Sequence, residues 1–231
     1  VAHPGTTVSD PRLQSFCRVS VADVSLLGAP LFSGPVLDSA WTDRCADLSR
    51  AAERLKKVST QDALILLRAS FSAPRVQHLL RCSPSVDHPA LAEFDSQLRS
   101  TVGSITNSQL SDIQWLQASL PIKLGGLGVR RVASLALPAF LASAASTLSL
   151  QDAILSRFIC PPDTSLVPAL STWSASFGSL LPPGDSLPPQ QSFWDRPGLL
   201  VDHERVKCSL VDSQSRARFL AAAAPHSGDW M

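Results

Sequence analysis

The sequence predicts a mainly α-helical protein, a helical bundle with a short strand and turn at its N-terminal end and a proline-rich irregular segment at its C-terminal end. Apolar residues recur at spacings of three and four through most of residues 35–150, which is the period of a helix face. Hydrophobic residues make up 45% of the chain and charged residues 17%, enough for a sizeable core. Beyond residue 160 the texture changes to Pro-Pro pairs and Ser-rich stretches.

This pattern divides the chain into three parts. Residues 1–34 are predicted to be an extended lead-in that ends in a strand and a turn, because the apolar run at residues 21–32 is interrupted by Gly28 and Pro30. Residues 35–150 form the helical domain. Residues 151–231 form a proline-rich connector, in which isolated aromatic residues anchor irregular structure on the helical body, and which closes with a helix at about 213–223.

The helical domain contains a series of predicted helices. The first spans residues 35–57, since one face carries Leu37, Trp41, Cys45, Leu48, Ala52 and Leu55. An N-cap at Ser59 opens the next, which Ala73-Pro74 should break before a short helix at 75–82. Further helices are predicted over about 89–105, with Asp95 and Arg99 as an i,i+4 pair, over 112–119, and over 132–148, where Pro138 implies a kink or a late start.

Several kinds of catalytic site have no signature here. No adjacent carboxylate pair is present for a two-metal polymerase site, and neither GxxxxGK[ST] nor GxSxG occurs. The five cysteines form no CxxC pair, so no metal site is indicated, and we interpret His78 and Cys82 as a partly exposed histidine beside a buried thiol. We therefore expect a non-catalytic chain without metal or cofactor.

The setting of the chain can also be predicted. Its apolar runs look interrupted well before the ~18 residues of a membrane span, and no signal peptide is visible. The cysteines are widely spaced and odd in number, which suits a reducing compartment. We expect an intracellular protein, nuclear or cytoplasmic, that is not secreted, has no membrane partner and is monomeric. Because the chain starts with Val1 and its single Met is its last residue, we interpret it as a piece of a longer protein.

Residues 120–131 combine backbone freedom with positive charge. Three glycines, Gly125, Gly126 and Gly128, follow Lys123 and precede Arg130-Arg131. The spacing does not fit GxGxxG, so we predict that these glycines, like Gly28, serve turn geometry and not nucleotide binding.

An ordered series of motifs, within residues 21–150, resembles non-LTR (LINE-like) retrotransposon reverse transcriptases in the region that follows the catalytic palm. In chain order the series is Leu26-Leu27-Gly28-Ala29-Pro30-Leu31, Leu66-Leu67-Arg68-Ala69-Ser70, Leu79-Leu80-Arg81-Cys82-Ser83-Pro84, Phe94-Asp95, Ile113-Gln114-Trp115-Leu116-Gln117-Ala118 and Leu120–Arg131. The tail at 224–230 looks like the linker before the Cys/His knuckle and restriction-like endonuclease of some such elements. The resemblance implies a thumb and connector that grip an RNA/DNA primer–template in a parent RNA-directed DNA polymerase. The palm with its catalytic Asp pair would precede Val1, and any nuclease would follow Met231.

Local charge supports this expectation. The net charge of the whole chain is only +1, but residues 44–81 hold eight basic and three acidic residues, an excess of five positive charges. Thumb helices contact the nucleic-acid backbone, so binding should be salt-dependent and indifferent to sequence. The candidate phosphate contacts are Arg50, Arg54, Lys57, Arg75, Arg81, Lys123, Arg130 and Arg131. The alternatives are solubilising charge on a helical protein-interaction or scaffold module, and a functionless element remnant.

Overall fold

Helices account for most of the chain in the computed structural model, which describes residues 20, 23–155, 165–178, 181–182 and 187–227. This confirms the mainly α-helical fold class. The lead-in before residue 20 lies outside the described residues.

The N-terminal strand and turn form a small antiparallel hairpin. β1 (Ser25–Leu26) pairs with β2 (Ala29–Pro30), with Ser25 opposite Pro30 and Leu26 opposite Ala29. Leu27 and Gly28 form the two-residue turn with φ values of 50° and 81°, the positive values that a type I′ hairpin needs. Ala29 is buried, so the hairpin is attached to the bundle through β2.

The first helix, α1 (Pro35–Leu55), carries the predicted buried stripe with one shift. Leu37, Trp41, Leu48 and Leu55 are buried as expected, Cys45 is half-buried, and Ala51 takes the place of Ala52. The fully buried Trp41 donates its indole N–H to Ser85 Oγ at 3.2 Å, which satisfies its polar atom inside the core.

A π-helical turn joins the next two helices. α2 (Thr60–Leu66) begins at Ser59, whose side chain accepts the N–H of Asp62 at 3.2 Å, as the N-cap prediction required. The chain then widens into the π-turn Leu67–Phe71, where the Ser72 N–H bonds to the Leu67 carbonyl at 2.9 Å, and continues as α3 (Ala73–Cys82). The predicted break between two helices is present, but it lies at the non-helical Ser72 (φ -88°, ψ -136°) and not at Ala73-Pro74. Ala73 and Pro74 lie in the first turn of α3, where proline costs no hydrogen bond.

The remaining helices of the bundle are α4 (Pro89–Thr106), α5 (Asp112–Ser119), the 3-10 turn Ile122–Leu124 and α6 (Val132–Leu155). α5 has the predicted bounds and opens with a capping box between Ser111 and Gln114. α6 runs seven residues beyond its predicted end at Leu148 and continues through Pro138 from a start at Val132. It packs against α3 and α4 on one side and α7 and α8 on the other.

The C-terminal part corrects the prediction of irregular structure. Three helices are present among its described residues, α7 (Leu166–Phe177), α8 (Gln191–Ser209) and α9 (Ser213–Ala222), and only the last was expected. Pro168 lies in the first turn of α7, where proline is tolerated, while α8 continues through Pro197. The two tryptophans act as anchors: Trp173 and Trp194 are buried, and the Trp173 indole donates to the Trp194 carbonyl at 2.8 Å. Phe193 does not, since it is 40% exposed.

Among the described helices, residues 132–154 of α6 form a segment long and apolar enough to cross a membrane. The sequence pattern did not predict a segment of this length. Core helices pass the same test of length and composition, and 39% of this window is buried inside the bundle. Val132, Leu135, Ala139 and Leu141 are among its core residues.

Candidate nucleic-acid interface

The candidate interface is a groove between α1 and the α2–α3 segment, here called the arginine groove. Arg50 and Arg54 lie one turn apart on α1, beside its buried stripe, and Arg75 reaches the groove from the first turn of α3. The cavity has a volume of about 340 Å³. Its apolar lining consists of Leu48, Ala51, Leu55, Val58, Leu66 and Phe71.

Asp47 organises the arginines at one end of the groove. Arg75 donates to its Oδ2 at 2.8 Å, Arg44 reaches the same oxygen at 3.4 Å, and Arg50 pairs with Oδ1. The Arg75 hydrogen bond, with the charges of Arg75 and Arg50, holds the pKa of Asp47 below its usual value. One carboxylate therefore faces three guanidinium groups, and a local surplus of positive charge remains.

These arginines keep much of their donor capacity exposed to solvent. The side chains of Arg50 and Arg75 are 65% and 48% exposed despite their contact with Asp47. Arg54 is exposed and forms no ion pair with any residue that the structure describes. Because a guanidinium has five N–H donors, each of these groups can still bind an anion in the groove.

The π-turn shapes the opposite wall. It supplies Phe71 to the lining and sets the start of α3, from which Arg75 projects. Such turns occur often at functional sites because the extra residue redirects the side chains around it. The sequence offered no signal for this feature.

The other predicted contacts do not join this groove. Lys57 and Lys123 are exposed and Arg81 is partly exposed, and none of the three forms an ion pair with a described residue. None of the three lines the arginine groove. The eight candidates therefore do not form one continuous site.

Arg130 and Arg131 hold α8 against the bundle. Arg130 makes two 2.8 Å hydrogen bonds to the carboxylate of Asp195, with side chains 20% and 12% exposed, and Arg131 pairs with Asp202. This geometry favours a structural task for both arginines over the phosphate contact predicted from the sequence, because their charge is already matched by partly buried carboxylates. Neither aspartate was singled out from the sequence, since both lie more than 60 residues from their partners.

The glycine stretch is a tight turn. Gly125 and Gly128 have φ values of 81° and 73°, which side chains rarely adopt. A Cβ on Gly126 would lie 2.1 Å from the Leu120 carbonyl oxygen, so the backbone leaves no room for one. The turn thus delivers Arg130 and Arg131 to the start of α6.

No group of three His, Cys, Asp or Glu side chains in the described ranges could hold a metal ion.

The sequence pattern did not identify Asp47 as a functional residue. Asp47 lies three positions from both Arg44 and Arg50, a spacing at which i,i+3 ion pairs could have been predicted. Its contact with Arg75 could not be predicted in this way.

Comparison of the chain with known protein families, curated proteins and solved structures finds no match.

Proposed function

We propose that this chain is the thumb and connector portion of a reverse transcriptase-like polymerase, and that the arginine groove binds the phosphate backbone of an RNA/DNA primer–template. The observation that carries the proposal is the set of three arginines, Arg50, Arg54 and Arg75, around one groove. Among the described residues that line it, Asp47 is the one acidic residue. Polymerase chemistry would belong to the parent protein.

The physical setting of the groove strengthens its attraction for phosphate. Its floor is apolar, so charges at its rim interact through a medium less polarisable than bulk water. Arginine also suits phosphate oxygens because it donates two parallel hydrogen bonds. Contacts of this kind bind the phosphate backbone and do not depend on the bases, as the contacts of a thumb must.

The arrangement of the chain supports the same proposal. The motifs that resemble non-LTR reverse transcriptases lie on the hairpin, the α2–π-turn segment, α3, α4, α5 and the glycine turn, in an order that runs through one helical bundle. The arginine groove lies within this series, between α1 and α3. For a functionless remnant there would be no reason for basic residues from separate helices to meet at one groove.

A second candidate function is protein interaction, and one cleft favours it. The glycine turn, α7 and α8 enclose about 1,360 Å³ lined largely by apolar side chains, among them Pro121, Trp173, Phe193 and Leu199. A partner segment that binds there would make this chain a scaffold module, as the sequence also allowed.

Binding of a short RNA–DNA hybrid, measured by fluorescence anisotropy, tests the proposed function. The variants are Arg54→Gln and the double variant Arg54→Gln/Arg75→Gln. Over about 50 to 200 mM salt we expect the affinity of the unchanged chain to fall, and the double variant to reduce the slope of log affinity against log salt by about 2. At the lowest salt its binding should be about tenfold weaker.

Arg205→Gln is the matched control, because Arg205 is an exposed arginine on α8 outside the arginine groove. It removes the same charge and should leave the slope close to that of the unchanged chain. Absence of binding at low salt, or equal losses in the Arg205 and Arg54/Arg75 variants, would contradict a backbone-binding groove.

A further inference from the structure

Two exposed cysteines occupy equivalent places on two different helices. Cys82 is the last residue of α3, and Cys208 is the last but one of α8. Each contacts the side chain four residues earlier: Cys82 Sγ lies 3.6 Å from His78 Nδ1, and Cys208 Sγ lies 3.5 Å from Glu204 Oε1. The two thiols therefore differ mainly in their neighbour, an imidazole for one and a carboxylate for the other.

The orientation of His78 is fixed by the N-terminal hairpin. Its Nε2 lies 3.2 Å from the carbonyl oxygen of Leu27, in the β1–β2 turn. A carbonyl oxygen can only accept, so Nε2 carries the hydrogen in the neutral ring, and Nδ1 is left as the acceptor that faces Cys82 Sγ. A nucleophile, a base and a group that orients the base are thus aligned on the protein surface.

We propose that Cys82 is a site of S-thiolation, at which this thiol exchanges with small disulfides, with His78 as the base and the Leu27 carbonyl as its orienting group. The sequence had suggested a buried thiol, but the structure exposes Cys82 because it lies at the end of α3, away from the buried side of that helix.

The exchange needs only the Cys82 thiol, His78 and a low-molecular-weight disulfide. The Cys82 thiol proton moves to His78 Nδ1, and the thiolate attacks one sulfur of a low-molecular-weight disulfide. A new Sγ–S bond forms as the original S–S bond breaks, and the leaving thiolate departs with the bonding electrons and takes up the proton. Cys82 is oxidised to a mixed disulfide, and one molecule of the small thiol is released.

The other described cysteines lack this arrangement. Cys208 contacts the Glu204 carboxylate, so it has no oriented imidazole of the kind that faces Cys82. Cys45 is half-buried on α1, and burial together with Glu93 raises the pKa of its thiol. We therefore expect Cys82 to be modified first among these three.

The first test uses the full chain in two single-cysteine forms, one that keeps Cys82 and one that keeps Cys208, with every other cysteine changed to Ser. Their rates with Ellman's reagent are compared at neutral pH, after circular dichroism shows that both are folded. We expect Cys82 to react about ten times faster. His78→Gln in the Cys82 form should remove most of this advantage, because glutamine retains a polar side chain but cannot take up the proton.

Glu204→Gln in the Cys208 form is the matched control, since it removes the carboxylate without supplying a base. Its rate should rise only slightly and stay below that of Cys82. As a second measurement, the unaltered chain is incubated with glutathione disulfide and its adducts are located by mass spectrometry; Cys82 should carry more adduct than Cys45 or Cys208. Equal rates for Cys82 and Cys208, or a Cys82 rate unchanged by His78→Gln, would overturn the proposal.

Discussion

Asp95 is a single residue at which burial and hydrogen bonding act in opposite directions. Its two carboxylate oxygens accept the backbone N–H groups of Val132 and Ala133 at 2.7 and 3.1 Å, so it caps the start of α6 from α4. Burial is the larger influence and raises the pKa of Asp95 to about 6, although these hydrogen bonds and the charge of Arg131 lower it. The predicted partner, Arg99, instead binds Asp112 at 2.7 Å.

The raised pKa of Asp95 predicts a loss of stability with rising pH. The folded state holds this proton more tightly than the unfolded state, where the carboxyl group has its ordinary pKa of 3.8. Its contribution is therefore complete below that value and is lost as the pH rises through about 6, by up to about 3 kcal/mol for a shift of about two units. Urea unfolding followed by tryptophan fluorescence across this range measures the effect.

Asp95→Asn isolates the contribution of this carboxyl group, because asparagine keeps an acceptor for one N–H of α6 but does not titrate. The difference in unfolding free energy between the unchanged chain and this variant should vary with pH from about 4 to about 7 and be constant above that range. Asp95→Ala, which removes the cap, should cost about 1 to 2 kcal/mol even at neutral pH. A difference between Asp and Asn that is flat with pH would show that burial does not control the titration.

At the scale of elements, the two glycine-containing turns have different requirements. A Cβ on Gly126 would meet the carbonyl oxygens of Leu120 and Gln117 at 2.1 and 2.5 Å, so backbone would have to move. At Gly28 nothing lies within 4 Å, and the only obstacle is the φ of +81°. Close packing of the backbone therefore excludes a side chain at Gly126, whereas at Gly28 only the backbone conformation disfavours one.

These turns predict a graded response to alanine. Gly28→Ala should lower the free energy of unfolding by about 1 to 2 kcal/mol, the usual cost of a side chain in the left-handed region. Gly126→Ala should cost more, about 3 kcal/mol or above, because the glycine turn must open and disturb the start of α6. Urea unfolding of both variants measures this difference, and equal losses would contradict the close approach of the backbone at Gly126.

The sequence predicted those helices whose ends and buried faces are marked locally. α5 begins at the capping box of Ser111 and has its predicted bounds, and α1 carries the predicted apolar stripe with a shift of one residue near its end. α7 and α8 were missed because proline, glycine and serine interrupt their local pattern, while burial of Trp173 and Trp194 against α6 stabilises them. Part of the arginine groove was predicted in the same way: Arg50 and Arg54 share a helix face, whereas the meeting of Arg75 with Asp47 depends on tertiary packing.

At the scale of the whole molecule, α6 connects the two halves of the bundle. One side of it belongs to the main core with Val76, Leu98 and Val129, and the other packs Leu141 and Ala142 against Trp173 and Trp194. A third apolar cluster joins α5, α8 and α9 through Leu116, Val206 and Phe219. The C-terminal helices α7 and α8 thus pack against α6, and α6 shares the main core with α1 and α3, which form the arginine groove.

This packing predicts that the C-terminal helices unfold together with the rest of the bundle. In urea, far-UV circular dichroism and tryptophan fluorescence should give one midpoint, because α6 is shared by both halves. Arg130→Gln should move both signals together and cost about 2 to 4 kcal/mol, since it leaves the 12% exposed Asp195 without its bidentate partner. Lys207→Gln, which removes an exposed ion pair with Glu204 on α8, is the control and should leave the midpoint close to that of the unchanged chain. Two separate transitions in the Arg130 variant, with part of the helical signal lost first, would mean that α7–α9 fold as an independent unit.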